Sequence, residues 1–234
     1  MGEHLLTNLK NVESRIEQAC ISAGRDRETV ALLAVSKTKP AEDVAVLASA
    51  GQKAFGENYL QEALDKIRVL PELEWHFIGP IQSNKTRPIA ENFSWVHSVD
   101  RLKIAERLSQ QRPEMLGNLN ILLEINVSEE VSKSGFSIRE MPEIIPKIAA
   151  LPNLTLRGFM AIPAPASDLE MQRIPLHKMQ KLLKEMQQAF PELPLDTLSM
   201  GMSSDLEAAI LEGATIVRIG TDLFGARTYK KKPE

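Results

Sequence analysis

Over nearly its whole length the chain alternates between short apolar runs and amphipathic stretches of helical period. Strand-like segments fall at 30–36, 53–56, 74–78, 94–99, 119–127, 155–160, 196–200 and 215–219. Helix-like segments separate them at 41–50, 57–69, 83–91, 101–111, 138–150, about 175–190 and 203–212. Strands joined through helices run parallel and are buried on both faces, so each reads as a nearly continuous apolar run. Eight such units in 234 residues predict the α/β class and a single closed (β/α)8 barrel domain over 1–234. An open doubly wound sheet is disfavoured, because no glycine-rich dinucleotide fingerprint follows the first strand. An extra helix precedes the barrel. Leu5, Leu9, Val12, Ile16, Ala19, Cys20 and Ala23 share its apolar stripe, and Gly24 supplies its stop.

Composition narrows the class of protein. Hydrophobic residues make up 43% and charged residues 25%, as in a globular chain. A net charge of -3 with scattered Lys and Arg gives no nucleic-acid face, and Lys230-Lys231-Lys232 reads as a solvated tail. The single cysteine, Cys20, has no internal partner for a disulfide and sits on a packing stripe. No apolar stretch is long enough to span a bilayer, and Met1-Gly2-Glu3-His4 lacks a signal pattern. The expectation is a cytoplasmic, monomeric protein that binds neither nucleic acid nor membrane, and no metal-ligand spacing stands out.

Chemistry in such a barrel gathers at the C-terminal ends of the strands. Lys37 follows the apolar run 30–36 and precedes Thr38-Lys39-Pro40. An amine facing a crevice there is desolvated, which favours its neutral nucleophilic form and prepares it to form a Schiff base with an aldehyde. The loop Gly201-Met202-Ser203-Ser204-Asp205 opens a helix after the seventh strand, and Gly220-Thr221 follows the eighth. Free amides at such positions attract an anion, and loops after strands seven and eight are the usual phosphate seat of this fold. Ser204 or Asp205 acting only as a helix cap is the competing explanation. The rigid loop Ile162-Pro163-Ala164-Pro165-Ala166-Ser167 is placed to border the mouth.

An aldehyde-reactive lysine paired with a phosphate seat suits pyridoxal 5′-phosphate. It also suits a Schiff-base aldolase acting on a sugar phosphate. Arg218 favours the former. It lies two residues before Gly220, so both share one strand face. A guanidinium there can donate to a pyridine nitrogen and keep it unprotonated. The alternative for Arg218 is an ion pair with a carboxylate inside the barrel.

Five motifs then coincide in order. They are Leu33-Ala34-Val35-Ser36-Lys37-Thr38-Lys39-Pro40, Phe55-Gly56-Glu57-Asn58-Tyr59, Trp75-His76-Phe77-Ile78-Gly79-Pro80-Ile81-Gln82-Ser83-Asn84-Lys85, Ser199-Met200-Gly201-Met202-Ser203 and Val217-Arg218-Ile219-Gly220-Thr221. Together the chain resembles the pyridoxal phosphate homeostasis protein family, in its bacterial form, over essentially its whole length. The resemblance implies a barrel like the N-terminal domain of alanine racemase, the fold-type III group of pyridoxal phosphate proteins. It implies that Lys37 carries the cofactor as a covalent aldimine and that Asn58 lies near the ring. Met202 and Ser203, with Gly220 and Thr221, would hold the phosphate, and Arg218 would face the ring nitrogen. Lys39, Lys85 and Lys133 are similar to further mouth lysines of the family, with no role assigned.

The family has no established catalytic activity, so the resemblance implies a carrier or regulator of pyridoxal phosphate balance that delivers the cofactor to apoenzymes. A weak amino-acid racemase is the alternative. Racemases of this fold add a β-rich domain and an opposing tyrosine base, whereas the only tyrosines here are Tyr59, at a helix start, and Tyr229, in the tail. His76 is a weaker candidate base, because a histidine in a barrel strand is more often a satisfied core residue.

Overall fold

In the computed structural model, which describes residues 2–227, eight parallel strands close into a barrel in strict chain order. They are β1 (Ala31–Val35), β2 (Ala54–Glu57), β3 (Glu74–Phe77), β4 (Trp95–Val99), β5 (Leu119–Glu124), β6 (Leu154–Met160), β7 (Thr197–Ser199) and β8 (Ile216–Ile219). Closure is made by β1 against β8, with Ala31 opposite Ile216 and Ala34 opposite Ile219. The first strand therefore lies between the second and the last.

The outer layer comprises α1 (Glu3–Ser22), α2 (Ala41–Ser49), α3 (Leu60–Val69), α4 (Thr86–Asn92), α5 (Leu102–Gln111), α6 (Met141–Ala149), α7 (Leu169–Ala189), α8 (Leu206–Leu211) and α9 (Thr221–Phe224). The helix α1 buries Leu5, Leu9, Val12, Ile16, Ala19 and Cys20, the predicted stripe, and Gly24 at φ 66° ends it. It packs across α8, α9 and α2. No helix among the described residues is long and apolar enough to cross a membrane.

The alternation predicts every strand, though most boundaries shift by one to three residues and a few shifts have a clear cause. The second strand runs on through Glu57, so α3 begins at Leu60 rather than 57. The side chain of Glu57 is consumed inside the protein, which an isolated charge at a helix start does not announce. The fifth strand ends at Glu124 rather than 127, and only an isolated bridge, Ile125 to Phe136, prolongs it. The seventh helix starts at Leu169 because Asp168 caps it by accepting from the Met171 N–H at 2.9 Å, and Pro175 is accommodated within it. The short helix α9 escapes a periodicity search, since one turn carries no period. Tyr229 and Lys230-Lys231-Lys232 lie outside the described residues.

Gly158 is dictated by close approach. Between β5 and β6 the register slips, with Leu156 opposite Ile121 but Gly158 opposite Leu122. At that step Gly158 has φ 148°, and a Cβ on it would sit 1.9 Å from the Thr197 carbonyl oxygen of β7. Gly158→Ala should therefore destabilise the fold by roughly 2–3 kcal/mol in a urea titration, the cost of forced overpacking.

Candidate functional site

Lys37 emerges just beyond β1, half-buried, on a backbone held from both sides. On one side the Ser36 carbonyl accepts from Lys66 Nζ at 2.7 Å, and Ser36 Oγ donates to Glu57 Oε1 at 3.0 Å. On the other, the Thr38 N–H donates to Glu62 Oε1 at 2.5 Å. Thr38 is β-branched yet adopts φ 68°, a left-handed conformation that persists only where the surroundings hold it. Lys66 Nζ binds both acids, at 2.5 Å from Glu57 Oε1 and 2.9 Å from Glu62 Oε1. A buried lysine thus ties β1, β2 and α3 into one support beneath Lys37. Burial pushes the Lys37 ammonium below its ordinary range, aided by the positive charges of Arg227 and Arg218 and opposed by Glu57.

Next to β1, at the same rim, stands the end of β8. A Cβ on Gly220 would lie 3.3 Å from the Val35 carbonyl oxygen, so this glycine sits hard against the strand that carries Lys37. Thr221 opens α9, and Met202 and Ser203 lie in the loop from β7 to α8. Among the described residues the backbone N–H groups of Ser203, Ser204 and Thr221 have no hydrogen-bond partner. The helix-cap alternative for this loop does not hold. No side chain caps α8, and Asp205 Oδ1 instead accepts from the Met202 N–H at 2.7 Å. The loop is fastened from outside by Arg15 of α1. Its guanidinium donates to the Ser203 carbonyl at 3.0 Å, to Glu207 at 2.9 Å and to Asp222 of α9 at 2.6 Å.

Arg218 points into the barrel and is 5% exposed. Its Nη1 donates to Ser199 Oγ at 2.7 Å and its Nη2 to the Ala161 carbonyl at 3.1 Å. No carboxylate among the described residues forms an ion pair with it, so the paired alternative falls away. Desolvation lowers the guanidinium to about 10, still charged at neutral pH. Arg218 lines a cleft of about 180 Å³ together with Gly201, Met202, Asp205, Lys133 and the loop from Ile162 to Ala166. The proline-rich loop does border the mouth. Asn58 immediately follows β2, and its Oδ1 is buried without a partner among the described residues.

The remaining candidates separate. Lys39 Nζ donates to the Ala226 carbonyl at 2.9 Å, Lys85 is exposed, and Lys133 lies 3.4 Å from Glu130. Tyr59 is 54% exposed at the start of α3. His76 is buried among hydrogen-bond partners inside the barrel, away from the mouth. Sequence reasoning missed Glu57, Lys66, Arg15 and Glu124, which ends β5. Burial raises Glu124 to about 7, with Ser134 donating to it. Its signal was a lone acid closing the apolar run Ile121-Leu122-Leu123.

A lysine, a loop with unpartnered backbone amides and a buried arginine stand at one rim of a closed parallel barrel, the architecture of the alanine racemase N-terminal domain. A family profile described as alanine racemase, N-terminal domain, matches residues 7–228. The pyridoxal phosphate homeostasis protein of Pseudomonas aeruginosa is 58% identical over 224 residues, 95% of each chain. The chain belongs to the pyridoxal phosphate homeostasis protein family. PipY of Synechococcus elongatus, solved with PLP bound, is 36% identical with a TM-score of 0.78, over 90% of this chain and 100% of that one. The alanine racemase of Corynebacterium glutamicum shares the fold at 18% identity and a TM-score of 0.71. It covers 99% of this chain, which spans 63% of that enzyme.

Glu57 offers a direct test of the support beneath Lys37. Its carboxyl is fully buried, and burial outweighs Lys66 and Ser36 to raise it from 4.5 to about 7. Between those values the folded chain binds the proton and the unfolded chain does not. The group's contribution to stability is therefore greatest at low pH and declines as pH rises towards 7. A carboxyl ¹³C titration should give Glu57 a midpoint near 7; a midpoint in the ordinary range of about 4 to 5 contradicts this environment.

Proposed function

We propose that the protein is a pyridoxal 5′-phosphate carrier of the cell's cytoplasm, acting as one barrel and as a monomer, that holds the cofactor through Lys37 and passes it to apoenzymes. The observation that carries this reading is the convergence of the Lys37 amine and the unpartnered amides of Ser203, Ser204 and Thr221. They lie at neighbouring strand ends on one rim. The donor set fits the cofactor at each end. An amine with a depressed pKa suits an aldehyde, and free amides beside a close-packed glycine suit a phosphate. The partnerless Asn58 Oδ1 and the cleft lined by Arg218 suit the polar edge of a ring between them.

Pyridoxal phosphate supplies a reactive aldehyde on a ring that can withdraw electrons when its nitrogen is protonated. Each residue then has a task. Lys37 Nζ makes the covalent attachment. Met202, Ser203, Gly220 and Thr221 seat the phosphate through backbone and hydroxyl groups. Asn58 flanks the ring. Arg218 donates to the ring nitrogen and keeps a proton off it, which weakens the ring as an electron sink. Restraint of chemistry suits a carrier. The candidate acid–base residues point the same way: Tyr59 is turned to solvent, and His76 is engaged away from the mouth. The homeostasis name borne by a relative matched over 95% of both chains agrees with this role.

Borohydride reduction followed by peptide mass spectrometry should find one pyridoxyl group, on Lys37. A colourless protein left unmodified by reduction would favour the sugar-phosphate aldolase instead. Lys37→Ala should lose the adduct yet retain measurable affinity through the phosphate seat. Wild-type protein incubated with single enantiomers of several amino acids should show no racemisation; turnover that disappears in Lys37→Ala makes it an enzyme. Saturating cofactor should raise stability by about 2.7 kcal/mol at a free concentration near one hundred times Kd. Arg218→Glu should weaken retention and shift the bound cofactor's absorption, and normal binding in that variant refutes the placement of Arg218.

A further inference from the structure

A line of five side chains crosses the barrel interior from one end to the other. Arg218 Nη1 donates to Ser199 Oγ at 2.7 Å, and Ser199 Oγ lies 2.8 Å from His97 Nδ1. His97 Nε2 is 2.8 Å from His76 Nδ1, and His76 Nε2 is 2.7 Å from Glu74 Oε1. Arg218 lines the mouth cleft. Glu74 is the first residue of β3 and, with His76, lines a cavity of about 360 Å³ at the opposite face.

Proton accounting gives this line a direction. A guanidinium only donates, so Ser199 Oγ accepts from Arg218 and its own proton goes to His97 Nδ1. Neutral His97 then carries hydrogen on Nε2 and donates to His76 Nδ1. His76 in turn carries hydrogen on Nε2 and donates to the Glu74 carboxylate. Each link has one donor and one acceptor. The reverse direction would need a protonated Glu74 and would leave the Ser199 hydroxyl proton without an acceptor. Burial lowers both histidines, which keeps them neutral, and the bond from His76 holds the Glu74 carboxyl below its ordinary range. The other groups facing the line agree. Trp95 stacks on His76 at 5.4 Å, and the Arg157 guanidinium lies over Trp95 while paired with Asp196.

We propose that Ser199, His97 and His76 are positioning residues for Arg218, and that Glu74 at the far face sets the direction of their hydrogen bonds. The Ser199 proton is committed to His97, so its oxygen lone pair is always presented to the guanidinium. Arg218 is thereby fixed at the angle from which it meets the ring nitrogen. This rests on the reading of Arg218 given under Proposed function.

The first test needs no cofactor. Long-range ¹H–¹⁵N spectra of the histidine-labelled protein at pH 7 should show His76 and His97 as neutral Nε2–H tautomers. An imidazolium or an Nδ1–H tautomer at either position overturns the directed line. The second test titrates the protein with pyridoxal 5′-phosphate. Ser199→Ala should raise Kd roughly three- to tenfold, the effect of one lost hydrogen bond, and move the absorption of the bound cofactor. Glu74→Leu, which removes the acceptor for His76, should release the Nε2–H tautomers of His76 and His97, and tautomers unchanged in that variant refute the directing role of Glu74. Arg218→Ala separates the two ideas. If it weakens binding while Ser199→Ala does not, the positioning role fails and the ring-nitrogen role survives. If Arg218→Ala itself leaves binding and absorption unchanged, the ring-nitrogen role fails, and the positioning proposal fails with it.

Discussion

Closure of the sheet between β1 and β8 is the constraint from which the site follows. Parallel strands in chain order place every C-terminal end on one rim, and closure makes the first strand a neighbour of the last. An amine thirty-seven residues from the start and loops beyond residue 200 become adjacent without any long excursion. The barrel interior is packed with side chains, so a ligand has room at the ends of the barrel and not along its axis. The Gly220 contact with Val35 shows how tight that junction is.

Charge placement around the rim is uneven. Beneath Lys37 one buried lysine serves two acids and a carbonyl, an arrangement that is costly to desolvate and strongly destabilising to break in part. Its structural return is rigidity: the residues on both sides of Lys37 are held, including Thr38 in a conformation it would not choose alone. On the neighbouring strand ends the groups without partners among the described residues, at Ser203, Ser204 and Thr221, are backbone amides rather than cations, so they carry no formal charge to add to the repulsion that lowers Lys37. Arg218 is the exception, and its partners are a hydroxyl and a carbonyl rather than a carboxylate. Its full charge therefore remains available towards the cleft.

The fold was largely legible in the sequence because apolar runs and helical stripes are local signals. The eight strands and the stripe of α1 follow from residue types a few positions apart. Of the candidate site, the placement of Lys37, Arg218 and the glycine-containing loops at or near one rim was legible because it follows from the strand pattern. Glu57 and Glu124 were not, since burial sets their proton affinities, and burial is a property of the folded barrel rather than of the neighbouring residues. Arg15 lies 188 residues from the Ser203 carbonyl it grips, and nothing in a surface arginine on an amphipathic helix indicates that reach. The alignment of His76, His97 and Ser199 depends likewise on the stagger of β3, β4 and β7.

The attachment of α1 has a consequence for the order of the rim. The apolar stripe of this helix rests on α8 and α9, nearly two hundred residues away, and on α2. Without those elements Leu5, Leu9, Val12 and Ile16 have no surface to rest on, and Arg15 lacks the two carboxylates it joins. Because the same arginine also grips the Ser203 carbonyl, loosening of α1 would free the loop between β7 and α8 as it uncovers the stripe, so a helix remote from Lys37 in the fold is coupled to the rim.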